Sequence, residues 1–399
     1  MKQMMLRSAL AFVILSVLIV QSINACHWDR DTLAMEAENF PGITEIITGR
    51  FDRFPALYYE MRLERVTEEL GSDPDNLDLY DDAGVACDRI GRHDEAIGWM
   101  AKKRAVLDAL DEQDAEHEYR YLANLGTFHI HRWLSSGANR EDLSDVELSR
   151  DLIAQAIELN PDAHFGRERY QLLAIEWILK LDDPAVPAIL FGADPEYTST
   201  HDWSFSLGPR NPQLEALGYK DAVEGLSGLI VLGHAWGSID VFRALQSALK
   251  DQGHSSLAYL CQLRISELID QGNRSLHDAF PYENYEDEAL ASDDNMVNSK
   301  ELRIDYYPQV RAESRYWHDE KLAFMESMLN TGSHPDTDDA FWDGWQESTS
   351  PPEPPGDGFA DHNPFFMAFL VLIGGFVLLV TLTSAVIFWL LKRLRTQPA

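Results

Sequence analysis

Apolar residues recur at helical spacing through most of residues 30–330, while the strict alternation of a half-buried strand is nearly absent. The pattern predicts an all-α chain. A first helix runs from Arg53 to Leu70 and is stopped by Gly71 and Pro74. Asn76 is placed to cap the next, whose stripe is Leu79, Tyr80, Ala83, Ala86 and Cys87. Gly91 ends it, and a partner helix opening at Asp94 carries Ala96, Ile97, Met100 and Ala101. Further helices are expected over Arg167–Leu181, Asp221–Lys250, Ser255–Gln271 and Pro308–Asn330, with Gly253 joining the second and third of these and Gly332 ending the last. Residues 183–218 break the pattern. Pro184, Pro187, Gly192, Pro195, Gly208, Pro209 and Pro212 punctuate a loop that carries Tyr197, Trp203 and Phe205, long enough to be a structured cap or a functional loop.

The two ends read differently. Phe365–Leu391 is an uncharged, mostly apolar run of 27 residues, followed at once by Lys392, Arg393 and Arg395. Such a run can cross ~30 Å of hydrocarbon, and the basic stop places residues 392–399 in the cytoplasm and everything before the span outside. At the other end, Lys2 and Arg7 precede the apolar Ala9–Val20 and then Ile23-Asn24-Ala25-Cys26, the layout of a signal peptide over residues 1–25. Ile23 to Cys26 also resembles a bacterial lipobox, so three outcomes stay open: lipidation of Cys26, ordinary cleavage nearby, or an uncleaved anchor. Residues 334–363, with Pro351-Pro352-Glu353-Pro354-Pro355, read as an extended acidic stalk leading to the span at 364–391, with Trp342 and Trp345 as candidates for docking on the ectodomain.

Charge sharpens the picture. Residues 26–363 hold all 66 Asp and Glu but only 28 of the 33 Lys and Arg, a net charge of about −38. That field repels nucleic acid and anionic lipid and favours basic partners or simple solubility. Besides Cys26 only Cys87 and Cys261 are present, with no metal-site spacing; the exported compartment leaves a Cys87–Cys261 bridge open, and so few cysteines fit a bacterial envelope protein better than a eukaryotic ectodomain.

Leu77 to Arg104 resembles a tetratricopeptide (TPR) repeat, a helix–turn–helix unit of 34 residues. Tyr80 takes the large residue at its fourth position, Ala83 and Gly84 the Leu-Gly pair, Gly91 the turn, Ala96 the small residue of the second helix and Met100 the large one after it. Cys87, Lys103 and Asp108 depart from the pattern, standing where an aromatic, Ala and Pro are usual. A second, split unit places Leu122, Leu125 and Gly126 on its first helix and Ile153, Ala156 and Pro161 at the end of its second, with an insertion around Ser135–Asp145 between. Cys26-His27-Trp28-Asp29-Arg30-Asp31-Thr32-Leu33 is also similar to the start of uncharacterised bacterial envelope TPR proteins. The resemblance implies an α-solenoid ectodomain: repeats over 26–182, a cap over 183–218 and further helix pairs over 219–333. It also implies a scaffold that captures another envelope protein or a peptide in its inner groove. The family's contact positions fall on Asp78, Asp81, Val85, Asp88 and Arg89, then on Arg120, Ala123, Thr127, Ile130 and His131. The first set is acidic and suits a basic peptide; Arg89 and Arg120 are the only basic groups available for a carboxylate clamp.

Motif chemistry adds little. There is no Gly-rich phosphate loop, no His-Glu-x-x-His and no Gly-x-Ser-x-Gly. His129 and His131 are two residues apart, so on a helix they point away from each other and cannot share one ion. Asp336, Asp338 and Asp339 lack the Gly and closing Glu of an EF-hand. Gly233-His234-Ala235-Trp236-Gly237 reads as close helix packing. No cofactor is expected. The alternative to a scaffold is an exported enzyme in which His201, Trp203 and His234 converge between the 183–218 loop and the 221–250 helix.

Overall fold

The computed structural model describes residues 29, 40–161, 167–183, 222–278, 280, 282 and 299–355. Among these the regular structure is helical. A short α1 (Ile43–Thr48) leads to α2 (Ala56–Ser72), α3 (Leu77–Arg89), α4 (His93–Leu107), α5 (Ala115–Ser135), α6 (Ser144–Leu159) and α7 (Arg167–Ile178). After the undescribed residues 184–221 come α8 (Ala222–Val231), α9 (Ile239–Asp251), α10 (Ser255–Asp270) and, past one turn at Ser299–Glu301, α11 (Tyr307–Leu329). From α2 to α7 each helix packs on the next, and α3 also touches α5, so helix pairs stack in chain order. The all-α expectation holds. The signal peptide, Cys26, nearly all of the 183–218 loop, the span at 364–391 and the basic tail lie outside the described residues. No described helix is long and apolar enough to cross a membrane.

Small residues set the spacing of the stack. A Cβ built on Gly84 of α3 would stand 2.9 Å from Met100 Cε on α4 and 3.1 Å from Phe128 on α5. A Cβ on Gly126 of α5 would stand 2.9 Å from Ile153 on α6. Ala96, Met100, Ile153 and Ala156 are all fully buried beside these contacts. Gly84→Leu or Gly126→Leu is therefore expected to cost ~1–3 kcal/mol through overpacking, read as a lower denaturation midpoint. Wild-type midpoints in both variants would contradict the close approach.

Helix ends follow local chemistry. Gly91 closes α3 at φ +77°, and Arg92 N–H then returns to the Cys87 carbonyl at 2.8 Å. Asn76 does stand at the N-cap of α3, but its amide turns towards Asp73 at 3.4 Å and it makes no side-chain cap. The insertion between α5 and α6 is tied down by Trp133, whose indole N–H is shared between the Asn139 and Asp142 carbonyls.

Two regions differ from the sequence reading. The helix expected over 221–250 is broken: His234 adopts φ +68°, Ala235–Gly237 forms a 3-10 turn, and Ser238 restarts the chain by capping Val241 N–H at 3.2 Å. Gly233–Gly237 is thus a corner, with Trp236 packed under Arg264 at 3.8 Å. The last helix also starts earlier than Pro308. A π-turn over Leu302–Tyr306 precedes α11, and the wider turn accommodates a proline ring that would otherwise meet the carbonyl four residues back.

The stalk is the larger correction. Residues 334–348 lie on the helical body instead of extending from it. His334 stacks on Tyr58, Phe341 is fully buried, and Asp336 reaches Arg62 and Arg65 on α2. Glu347 pairs with Arg50 at 2.9 Å. A charged, proline-bearing sequence looks solvated when its partners are nearly three hundred residues away. Of the residues from Glu353 onward, 353–355 are described.

Asp240, in the first turn of α9, is buried and accepts hydrogen bonds from Ser275 Oγ at 2.5 Å and Leu276 N–H at 2.9 Å. Burial nevertheless outweighs these bonds and pushes its carboxyl up to about 6. Between its ordinary value near 3.8 and about 6 the folded state holds more protons than the unfolded one. Stability should therefore fall as pH rises through that window, and Asp240→Asn should remove that part of the slope in denaturation curves taken from pH 4 to 7.

Candidate functional site

The sequence-predicted contact residues lie where α3, α4 and α5 meet. Of the acidic set only Asp78 is exposed, its side chain at 65%. Asp81, Val85 and Asp88 are buried. This corrects the expectation of one open acidic face, and the reason is visible in the contacts. Lys103 on α4, itself fully buried, donates to Asp81 Oδ2 at 2.6 Å, and Asn124 on α5 donates to Asp81 Oδ1 at 3.1 Å. Burial pulls the Lys103 ammonium below its usual range, and Asp81 offsets part of that. The Lys that departs from the repeat pattern is thus the counterion of the Asp that was assigned to the groove.

Asp88 sits deeper. Its Oδ1 meets His93 Nδ1 at 2.7 Å, and its Oδ2 meets His131 Nδ1 at 2.6 Å. These three residues come from α3, α4 and α5. His129 turns the other way, to Asp145 at 2.7 Å, as the helical spacing requires. Burial lowers the His129 pKa, partly offset by Asp145. Burial acts to raise Asp145, but bonds from Arg132 and His129 outweigh it and hold the carboxyl below its usual range.

The two basic groups are also engaged. Arg89 donates to the Leu232 carbonyl at 2.7 Å and lies 2.9 Å from His234 Nδ1, so it ties α3 to the corner before α9. Arg120 pairs with Asp78 at 2.7 Å and with Glu116 one turn earlier. A carboxylate clamp would have to displace these bonds. Ala123, Thr127, Ile130 and His131 are all buried, with Thr127 accepting from Gln171 Nε2 at 3.3 Å. His201 and Trp203, which the enzyme alternative needs, lie outside the described residues, and His234 serves Arg89. Cys87 and Cys261 are both free and buried, so no Cys87–Cys261 bridge forms. Burial pushes the Cys87 thiol up to about 12, leaving it unreactive.

Sequence reasoning missed His93 and Lys103 as members of this site. His93 opens α4 two residues after Gly91, one residue before the Asp94 at which the sequence places the helix start. No family model matches the chain, and no curated protein or solved structure matches it.

Proposed function

We propose that the protein is a membrane-anchored, TPR-like scaffold that captures another envelope protein or a basic peptide on the outer side of the membrane. The observation that carries this reading is the recurrence of one contact: Gly84 against Met100 between α3 and α4, then Gly126 against Ile153 between α5 and α6. Two successive helix pairs use a glycine and a large residue in the same way, as the repeat pattern does. The anchor at 364–391 and the exported placement of residues 26–363 belong to the same proposal and rest on the sequence; lipidation of Cys26, cleavage nearby and an uncleaved anchor are all compatible with it. The exposed carboxylates beside Arg120, Asp78 at 65% and Glu116 at 69% side-chain exposure, are the groups a basic partner can reach. Asp81, Val85, Asp88 and Arg89 hold that surface in place from beneath.

The test uses a labelled lysine-rich peptide and the full chain. Binding should weaken as salt is raised and should fall in Asp78→Lys/Glu116→Lys, with the melting temperature nearly unchanged. Binding that ignores both changes would remove the acidic face from the reading. In spheroplasts, external protease should digest residues 26–363; full protection would overturn the placement.

A further inference from the structure

Among the described residues, two clusters bring three metal-capable side chains together: Asp88 with His93 and His131, and Asp78 with Asp81 and His117. They differ in what already surrounds the carboxylate. At the second, the Lys103 ammonium stands 2.6 Å from Asp81, and a dication placed there would face that positive charge at contact distance. At the first, the groups facing Asp88 from the neighbouring helices include two imidazoles, which are themselves metal ligands.

We propose that Asp88, His93 and His131 form a binding site for a divalent transition-metal ion of the zinc class. The donor set is two imidazole nitrogens and one carboxylate oxygen, which matches zinc and its neighbours and not the all-oxygen sites of calcium or magnesium. The three ligands come from three helices, so the site is set by the packing of α3, α4 and α5 and not by a local loop. Their ligand atoms lie within 4.8 Å of one another. A tetrahedral ion with bonds of about 2.0–2.1 Å holds its ligand atoms roughly 3.3 Å apart. The Nδ1–carboxylate separations of 2.7 and 2.6 Å, one to each oxygen of Asp88, must open by about 0.6–0.7 Å to reach that spacing, a side-chain adjustment.

The proton balance is simple. A carboxylate only accepts, so in the bonded arrangement each Nδ1 carries its hydrogen. On metal binding Nδ1 gives its lone pair to the ion: a ring with one hydrogen carries it on Nε2 instead, and a ring with two releases its Nδ1 proton to water. Asp88 and His131 are buried, whereas the His93 side chain is 14% exposed. The ion enters past His93, and water supplies the fourth ligand from that side. Sequence reading could not find this site, because the ligands are five and thirty-eight residues apart and fit no metal motif.

The test titrates the chelator-treated full chain with zinc, and with cobalt as a spectroscopic probe. One equivalent of zinc should bind, the cobalt form should show the visible absorption of a tetrahedral complex, and the zinc form should melt higher. His93→Ala, at the rim of the site, should weaken binding by at least about tenfold. His131→Asn should do the same, and the melting curve of each metal-free variant checks that it folds. The proposal is overturned by the absence of stoichiometric zinc uptake in the wild type. It is equally overturned by unchanged affinity in folded His93→Ala, or by loss of binding in His117→Ala with His93→Ala unaffected.

Discussion

Asp336→Ala should destabilise the protein by ~3–5 kcal/mol, although the residue lies in a segment whose composition reads as a solvated stalk. The expectation follows from Arg62. Its side chain is fully buried on α2, and Asp336 receives its Nε at 2.7 Å and its Nη2 at 2.6 Å, a bidentate pair. Arg65 adds a third bond to the same carboxylate at 2.5 Å. The guanidinium also lies over the Tyr58 ring at 4.6 Å and reaches Asp29 at 3.3 Å. Removing Asp336 leaves a buried cation with less than its charge compensated, and Asp29 alone is too long a bond to make up the difference.

The loss should not stay local. The Asp336 amide donates to His334 Nδ1 at 3.1 Å, which fixes the proton on Nε2, and Nε2 in turn donates to the Tyr58 carbonyl at 3.0 Å. Burial already lowers the His334 pKa, so this neutral ring serves as a structural pin. Asp336→Ala should therefore release residues 334–348 as well, seen as new protease cleavage there before the helices melt. A variant that melts like wild type, with no new cleavage, would return the segment to the role of a free stalk.

That segment shows where sequence reading stops. The helices themselves were legible, because periodicity, Pro and Gly act over a few residues: Gly91, Gly253 and Gly332 each end an element at positive φ. The close approach at Gly84 was legible too, since the repeat pattern sets a small residue there against a large one; Gly126 was placed on a repeat's first helix, and its contact with Ile153 comes from the structure. The break at His234 was not, because a non-glycine residue at positive φ leaves no compositional mark. Nor was the docking of Asp336, whose partners are 271 and 274 residues away. Buried carboxylates are the hardest case. Asp81 and Asp88 fall on the polar stripe of α3, and polarity alone says solvent. Only the positions of Lys103, Asn124, His93 and His131 in space reverse that inference.

The same reversal gives the second large effect. Asp78, Asp81 and Asp88 share a side of α3 by spacing, so an exposed acidic face predicts that Lys at any of them is tolerated. The structure predicts that they separate. Asp78→Lys, at an exposed site, should cost less than about 1 kcal/mol, chiefly from the lost pair with Arg120. Asp81→Lys should cost ~3–5 kcal/mol, because it places a second ammonium against the fully buried Lys103 where the two already touch at 2.6 Å. The paired exchange Asp81→Lys/Lys103→Asp rebuilds an ion pair with its sense reversed, and Asn124 can turn its amide to accept instead of donate. That double variant should recover a substantial part of the loss, so the two changes should be strongly non-additive in a double-mutant cycle read by chemical denaturation. Additive costs would mean that Asp81 and Lys103 do not meet in the folded protein, and equal, small costs at Asp78 and Asp81 would restore the open face.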